Sequence, residues 1–267
     1  MKIATFNVNG VNGRLPVLLR WLNEAKPDVV CLQELKAPVA KFPAAALRDT
    51  GYEAMWLGQP RWNGVAILSR IGAIHPTQRG LPDDPDSTQR RYVEAAVNGV
   101  IVASLYVPNG NPWPGARFDY KLAWFDALIA RAQMLIDSGP PVVLAGDFNV
   151  IPGPRDVYAP EQWAEDALFA PAVRAAFSRL LAQGWTDALR HLHPDATLYT
   201  FWDYQRNAYG RDAGMRIDHL LLSPALAARL SDAGVDRHVR GWPHASDHAP
   251  TWITLDDDAE HDANAVG

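Results

Sequence analysis

Residues 141–149 read Pro141-Val-Val-Leu-Ala-Gly-Asp-Phe-Asn149, a stretch that joins an apolar run to a polar end. Four apolar residues in succession predict a strand that is buried on both faces. Asp147 and Asn149 follow the run, and residues two apart in an extended chain face the same side. Because an ionised carboxylate buried without a partner costs several kcal/mol, we expect Asp147 to be exposed, hydrogen-bonded or bound to a cation.

Polar residues follow other apolar runs in the same way. Three further segments share the pattern: residues 3–6 before Asn7 and Asn9, residues 29–32 before Gln33 and Glu34, and residues 101–105 before Tyr106 and Asn109. Their short length and β-branched content favour strands. Asn98-Gly99 lies between two more such runs and predicts a two-residue hairpin, so we expect part of the sheet to be antiparallel.

Helical patterns alternate with these strands. Apolar residues recur at helical spacing from Leu15, from Val173 and over residues 117–138, and a fourth helix is predicted from Ser223 to Gly234. This mixture of hairpins and strand–helix units favours an α/β fold of stacked sheets with helices outside over a purely parallel sheet.

The charge is concentrated at the end of the chain. The five acids Asp256, Asp257, Asp258, Glu260 and Asp262 account for the whole excess of 30 acidic over 25 basic residues. We therefore expect one domain over residues 1–255 and an acidic, disordered tail at residues 256–267. The neutral body excludes a protein that coats nucleic acid by bulk charge, but it is compatible with a local basic face.

The cellular environment is bounded by what the sequence lacks. The single cysteine, Cys31, excludes disulfides within the chain and Cys-rich zinc sites. The first residues have no apolar stretch typical of a signal peptide, and no window approaches the roughly 18 apolar residues of a membrane span. We expect a soluble, cytoplasmic protein without a membrane partner.

Two later segments carry acids beside a histidine or a strand. Asp247 and His248 precede the run at residues 251–255, and Asp218 precedes the apolar run at residues 219–222. A histidine that handles protons or holds a phosphate usually has an acidic partner, and Asp218 is a candidate for it. The alternative is a surface ion pair of Asp218 with Arg216 and a loop position for His248.

Taken together, these motifs resemble the exonuclease III family of apurinic/apyrimidinic (AP) endonucleases. Six motifs carry the resemblance, which runs from residue 2 to about 255: Phe6-Asn-Val-Asn9, Leu32-Gln-Glu34, Tyr106-Val-Pro-Asn109, Gly146-Asp-Phe-Asn149, Arg216-Ile-Asp218 and Ser246-Asp-His248. The resemblance implies a four-layer α/β sandwich, with two packed mixed β-sheets flanked by helices, and strand ends that converge on one cleft. It also implies a scissile phosphate above Asp147 and Asn149.

The resemblance implies a metal site. Glu34 is the central ligand by this likeness, helped by Asn7 and Asp247, directly or through water. Carboxylate and amide oxygens without a thiolate or a histidine cluster select Mg²⁺, with Mn²⁺ as a substitute, rather than zinc.

The same resemblance implies catalytic roles. Asp147 orients or deprotonates the attacking water, Asn149 and His248 hydrogen-bond phosphate oxygens, Asp218 holds His248, and Tyr106 reaches the phosphate or the leaving group. Alternative mechanisms assign the base and the leaving-group acid differently, and the sequence does not choose between them.

DNA contacts are predicted from cations and aromatic residues near these motifs. The predicted set is Asn9, Arg91, Asn109, Lys121, Phe201, Trp202, Met215 and Arg216. By the resemblance, Phe201, Trp202 and Met215 line a pocket for a sugar that has lost its base. The alternatives are core packing for at least one aromatic residue and scattered surface positions for the arginines.

The predicted activity is that of a DNA repair nuclease. It cuts duplex DNA 5′ to abasic sites, removes nucleotides 3′→5′, trims 3′-phosphates and other 3′ ends, and acts as a monomer. A phosphoesterase of the same fold acting on RNA, lipid or a small phosphoester remains the alternative, because such catalytic residues are shared among these classes. A silent nucleic-acid-binding module is disfavoured, since acids facing a phosphate do not help binding. Asn12 stands where many relatives have an arginine, and Met215 where some have a tryptophan.

Overall fold

The computed structural model describes residues 1–256, so the acidic tail predicted at residues 256–267 lies outside the described residues except for Asp256. The strands of the described part are Lys2–Asn7 (β1), Val29–Gln33 (β2), Glu53–Leu57 (β3), Val65–Ser69 (β4), His75–Arg79 (β5), Tyr92–Val97 (β6), Val100–Tyr106 (β7), Val142–Asp147 (β8), Thr186–Asp187 (β9), Asp218–Leu222 (β10), Leu230–Val235 (β11) and Thr251–Leu255 (β12). The α-helices are Leu15–Ala25 (α1), Ala44–Asp49 (α2), Ala116–Ser138 (α3), Pro171–Leu181 (α4), Ala188–Leu192 (α5) and Pro224–Ala227 (α6).

The strands form two mixed sheets of six strands each, in the orders β11-β12-β1-β2-β4-β3 and β5-β6-β7-β8-β10-β9. β1 pairs with β2, and β7 with β8, in parallel, whereas the other pairings are antiparallel. The expectation of stacked mixed sheets is confirmed.

Three apolar layers hold the sandwich together. The central layer joins the facing sides of both sheets, with Ile67 from one sheet and Val102 and Val143 from the other. A second layer packs Trp21 of α1 against the outer face of the first sheet, and a third packs Phe125 of α3 against the outer face of the second. Because α1 and α3 pack on the outer faces, the order of layers is helix, sheet, sheet, helix, as predicted. The short helices α5 and α6 instead contribute Leu189 and Leu226 to the central layer.

The hairpin predicted at Asn98-Gly99 is confirmed. Asn98 has φ of 47° and Gly99 has φ of 80°, and the flanking strands β6 and β7 pair in register around them. Two central residues with positive φ are the backbone of a type I′ turn, whose twist matches that of the strands.

The fourth predicted helix is wrong over most of its length. α6 ends at Ala227, and the chain continues as strand β11, which pairs with β12. Gly234 lies inside this strand, where a Cβ atom would come within 2.8 Å of the Trp252 ring. Strand pairing across the sheet outweighs the local helical preference here.

None of the helices among residues 1–256 is long and apolar enough to cross a membrane.

The polar motifs meet at one end of the sandwich. β1, β2, β7 and β8 end there, and β10 begins there with Asp218 paired opposite Asp147. β12 begins at Thr251, opposite Thr5 of β1, so the segment carrying Asp247 and His248 reaches the same end. The topology thus brings six distant stretches of sequence to one place.

Candidate active site

The Glu34 carboxylate lies at the end of β2 among hydrogen-bond donors. Oε1 accepts from Tyr106 OH at 2.7 Å and from Asn7 Nδ2 at 3.1 Å, and Oε2 lies 2.7 Å from the Lys36 ammonium. Burial raises the pKa of Glu34, but Lys36 and the Tyr106 hydroxyl outweigh it and leave the pKa below its ordinary value. Glu34 is therefore an ionised carboxylate, and it is ion-paired with the Lys36 ammonium.

Asn7 joins the two acids of the site. Its Nδ2 donates both to Glu34 Oε1 and, at 2.9 Å, to Asp147 Oδ2. Its Oδ1 accepts from the backbone N–H of Asn9 at 3.0 Å. The Asn9 side chain in turn donates to Asp247 Oδ1 at 3.0 Å and accepts from Lys36 at 2.6 Å. One network therefore links the ends of β1, β2 and β8 with the segment before β12.

Asp147 ends β8 in a nearly dry position, 1% exposed. Gly146 precedes it because a Cβ atom there would collide with the Leu105 carbonyl of β7. Burial raises the pKa of Asp147 above its ordinary value, even though the charge of His248 opposes this. A carboxyl group with a raised pKa is a better proton acceptor at neutral pH than an ordinary one.

Asn149 does not continue the strand as the sequence predicted. Its φ is 48°, and its backbone N–H turns back to Asp147 Oδ1 at 2.9 Å. Its side chain donates to the Val107 carbonyl at 2.9 Å and accepts from Asn109 Nδ2 at 3.3 Å. The chain therefore turns back at Asn149 toward the Asp147 carboxylate and does not extend β8.

His248 lies between two acids. Its Nδ1 is 2.8 Å from Asp218 Oδ2, and its Nε2 is 3.7 Å from Asp147 Oδ2. Burial disfavours the charged imidazolium, but the Asp218 carboxylate outweighs it and raises the pKa of His248. Asp218 thereby leaves Nε2 as an N–H donor directed at the space beside Asp147. The surface ion pair between Asp218 and Arg216 that the sequence also allowed is not formed.

Three acids, Glu34, Asp147 and Asp218, thus meet a charged histidine at one end of the sandwich, and the chain that carries them matches a known family. The profile of the endonuclease/exonuclease/phosphatase family matches residues 4–248.

The chain belongs to the endonuclease/exonuclease/phosphatase family.

The chain is similar to two nucleases and a 3′ phosphatase. The chain is 31% identical over 264 residues to exodeoxyribonuclease III of Haemophilus influenzae, covering 94% of this chain and 98% of that protein. It is 36% identical to an AP endonuclease from Archaeoglobus fulgidus, with a TM-score of 0.92 over 96% of this chain and 100% of that one. It is 43% identical to the 3′ phosphatase NExo from Neisseria bound to a product DNA hairpin, with a TM-score of 0.92 over the same shares.

The predicted family, exonuclease III-like AP endonucleases, and the fold are thereby confirmed, and the protein is a phosphodiester hydrolase of DNA repair.

A pocket of about 300 Å³ lies at the active site and is lined by Glu34, Asp147 and His248. The aromatic and apolar side of this pocket consists of Trp163, Leu168, Phe201, Met215 and Ile217. The Phe201 ring lies with its centroid 5.0 Å from that of His248, and its backbone pairs with Met215. Phe201 and Met215 thus line a pocket beside His248, and the prediction that this pocket takes a sugar stays a prediction.

Trp202 does not line this pocket. It is 1% exposed and packs against Tyr199 and Tyr209, while its indole N–H donates to Asp212 Oδ1 at 3.0 Å. Of the two predicted aromatic residues, only Phe201 faces the site. The predicted DNA contact of Trp202 is therefore wrong, and it supports the segment from the interior.

Two predicted DNA-binding cations are also interior. Arg216 is 1% exposed and ion-pairs with Asp156 and Asp187, each at 2.7 Å. Lys121 is 0% exposed, and its ammonium donates to backbone carbonyl oxygens. Neither can touch DNA in this arrangement, so both predictions are corrected: these are buried cations held by buried acceptors.

The remaining predicted DNA contacts lie at the rim of the site. Arg91 stacks over the Tyr106 ring at 4.8 Å and donates to its carbonyl. Asn109 lines the pocket, and Asn9 is half-buried beside Asp247. Asn12, which replaces a cation, is in contact with the Lys41 carbonyl at 3.1 Å.

Two sets of residues are candidates for holding a metal ion. Asp147, Asp218 and His248 lie within 4.8 Å of one another. However, Nδ1 of His248 is hydrogen-bonded to Asp218, and its raised pKa keeps the ring protonated, which prevents metal ligation. Glu34, Asn7 and Asp247 form the other set, and their oxygen atoms fit a hard cation better. An ion at Glu34 would replace the Lys36 ammonium beside Oε2.

The sequence reasoning missed Lys36 and Trp163. Lys36 lies two residues after Glu34 and ion-pairs with it, so its proximity in sequence was a usable signal. Trp163 comes from a segment with no motif, and only the fold brings it to the pocket.

Proposed function

We propose that this protein is a Mg²⁺-dependent DNA repair nuclease that hydrolyses the phosphodiester 5′ to abasic sites in duplex DNA. We include in the proposal 3′→5′ exonuclease action and the removal of 3′-phosphates and other 3′ ends. The observation that carries it is the aromatic pocket beside the Asp147–His248 pair: a phosphate held by these groups puts the adjoining sugar against Phe201. A sugar without a base fits there, and an intact nucleotide meets the Phe201 wall.

Different residues of the site bind the phosphate, accept the proton of the water and donate to the leaving oxygen. The His248 imidazolium and the second N–H of the Asn149 amide donate to phosphate oxygens. Asp147, with its raised pKa, accepts the proton of the attacking water. Burial raises the pKa of Tyr106 well above its ordinary value, so its hydroxyl stays protonated. It donates to Glu34 here and would turn to the phosphate or the leaving oxygen when the substrate binds.

Glu34, Asn7 and Asp247 would hold the metal ion, directly or through water. Asn7 directs Nδ2 at Glu34, so its amide would turn over to offer Oδ1 to the ion. Oxygen donors of this kind fit Mg²⁺, with Mn²⁺ as a substitute. When bound, the ion neutralises charge that develops on the phosphate and the leaving oxygen. Lys36 contacts Glu34 and Asn9 in the same network, and so keeps the acidic centre compensated before the ion arrives.

Open clefts on both sides of the central pocket support cutting within a strand as well as at its end. One cleft of about 430 Å³ shares Trp163, Phe201 and Met215 with the pocket and adds Arg206 and Arg211. The other, of about 600 Å³, shares Tyr106 and Asn109 and adds the cations Arg91 and Arg117 with the exposed Trp62. A strand that passes through all three meets cations on both sides of the scissile bond.

Names of the relatives support both parts of the proposal. An AP endonuclease and a 3′ phosphatase each match 96% of the chain. We further propose that residues 1–255 act as one domain, since both sheets contribute to one central core.

The test uses three labelled duplexes: one with an abasic-site analogue, one undamaged with a recessed 3′ end, and one with a 3′-phosphate. Each is incubated with Mg²⁺ and with EDTA. We expect metal-dependent cleavage of all three, and the relative rates rank the activities. Turnover of RNA, lipid or small phosphoesters without cleavage of any duplex would overturn the proposal.

A further inference from the structure

The ammonium of Lys121 lies beneath the active site and joins three loops. Its Nζ donates to the carbonyl oxygens of Asn109 at 2.9 Å, Asn149 at 2.5 Å and Ala167 at 3.3 Å. The side chain projects from α3, whose apolar face it shares with Phe118. The three acceptors belong to loops that are far apart in sequence and have no other common partner of this kind among the described residues.

Each of these loops contributes to the pocket. The loop after β7 carries Asn109, and the turn after β8 carries Asn149. Ala167 lies between Asp166 and Leu168, which both line the pocket. One nitrogen atom therefore contacts all three pocket walls, whereas the other hydrogen bonds between these loops, such as Asn109 to Asn149 and Asn111 to Asp166, join them only in pairs.

A lysine in this place is costly unless it is fully hydrogen-bonded. Burial lowers the pKa of Lys121, while the carboxylates of Asp147 and Asp166 oppose this. An ammonium has three N–H groups, and the three carbonyl oxygens accept one each. Replacing it by an apolar residue leaves these three acceptors without their donor in a dry place.

We propose that Lys121 is a positioning residue that fixes the loops carrying Asn109, Asn149 and Leu168 as one rigid wall of the active site. It touches no substrate. It acts through Asn149, whose backbone is left-handed, with φ of 48°. In this conformation the backbone N–H of Asn149 donates to Asp147 Oδ1. Backbone in this region is strained for a non-glycine residue and persists only where surrounding contacts enforce it.

Gly110 supports this assignment from the other side. Its φ is 91°, and a Cβ atom added there would come within 2.7 Å of Lys121 Cδ and 3.3 Å of Ala167 Cβ. The backbone of the first loop thus passes directly over the lysine stem, and a side chain at residue 110 would push this loop away from the ammonium.

The test compares Lys121→Met with Arg131→Met. Arg131 projects from the same helix and ion-pairs with the fully buried Glu94 at 2.7 Å, outside the active site. Both variants remove a cation and leave buried acceptors, so both are expected to lower the melting temperature. Two readouts separate them: steady-state kinetics, and hydrogen exchange in residues 107–111, 148–151 and 166–169.

For Lys121→Met we expect faster exchange in all three loops and a kcat lower by about 100-fold, because small displacements of reacting groups cost that much. KM should rise less than kcat falls, since the loop of Asn109 is only one part of the clefts that bind DNA. Arg131→Met should leave loop exchange and kinetics as in the wild type. Wild-type kcat and loop exchange in a folded Lys121→Met variant would overturn the proposal.

Gly110→Ala keeps the proposal testable if Lys121→Met does not fold. It retains the ammonium and displaces the first loop, so we expect the same combination of a lower kcat, a smaller rise in KM and faster loop exchange. Unchanged kcat and exchange would count against the proposal. The proposal rests on the proposed function only for the choice of DNA substrate. Hydrogen exchange and the hydrolysis of bis-p-nitrophenyl phosphate report on the loops even if no DNA is cut.

Discussion

His248 and Asp218 are joined by a hydrogen bond of 2.8 Å between Nδ1 and Oδ2, and the pair is buried at the start of β10. The carboxylate selects the imidazolium form and directs the other ring nitrogen toward Asp147. A cation that is fixed in this way can stabilise an anionic phosphate without reorganising during the reaction.

Asp218→Asn tests this pairing. We expect kcat to fall by about 100-fold or more, in the range that general acid–base groups contribute. Because the Asp218 carboxylate raises the pKa of His248, its loss lowers that pKa, and the alkaline limb of the pH–rate profile moves to lower pH. The exposed Asp195, which ion-pairs with Arg155 on the surface, gives the control Asp195→Asn with wild-type kinetics. An unshifted profile in Asp218→Asn would argue against the pairing.

Asp147→Asn should lower the activity and raise the melting temperature. Burial raises the pKa of Asp147 in the folded protein to about 7, from an ordinary value of 3.8. The free energy of unfolding therefore falls as the pH rises from 3.8 to about 7, and the loss is complete above that pH. We expect kcat to fall by about 1000-fold. We also expect a melting temperature about 4 °C or more above that of the wild type at pH 8, with a smaller difference at pH 5. Calorimetry at the two pH values measures this, and a larger gain at pH 5 than at pH 8 would contradict it.

Glu34→Gln should weaken metal binding and thereby lower the activity. Titration calorimetry with Mg²⁺ is expected to show a loss of affinity greater than the roughly 10- to 100-fold that the loss of a partner outside the ligand set causes. Excess Mn²⁺ should restore only part of the rate. Metal binding equal to that of the wild type would move the metal site to the group of Asp147, Asp218 and His248.

Phe201→Ala tests the sugar pocket. We expect kcat/KM for the abasic duplex to fall by about tenfold, the usual cost of losing an apolar contact with the substrate. Exonuclease action on the undamaged duplex should fall less, so the ratio of the two activities changes. Met134, exposed on α3, provides the control Met134→Ala. An equal loss on both duplexes would show that Phe201 supports the fold and not substrate choice.

Much of the architecture was predictable because it follows from local patterns. The run before Asp147, the Asn98-Gly99 turn and the long helix from Ala116 each carry their signal within a few residues. The strand β11 was not predictable in this way, since it exists because β12 offers it a partner. Sequence reasoning about one segment cannot include the pairing energy supplied by another.

At the site, the burial of individual cations was the property that the sequence predicted least well. Lys121 and Arg216 read as surface cations, and only the fold shows that they are interior. For Lys121 a signal was present: it lies three residues after Phe118 and four before Phe125, on the apolar stripe of α3. Arg216 carries no such signal, because its partners Asp156 and Asp187 come from distant segments.

The most direct measurement is the identity of the ends produced from a duplex with one abasic site, compared between the wild type and Asp147→Asn. We predict a single Mg²⁺-dependent cut by the wild type that leaves a 3′-hydroxyl on one fragment and a 5′-phosphate on the abasic sugar of the other. Asp147→Asn should bind the duplex with similar affinity and leave it uncut. A cut on the 3′ side of the abasic sugar, or an intact duplex with well-folded wild-type protein and Mg²⁺, would contradict the account.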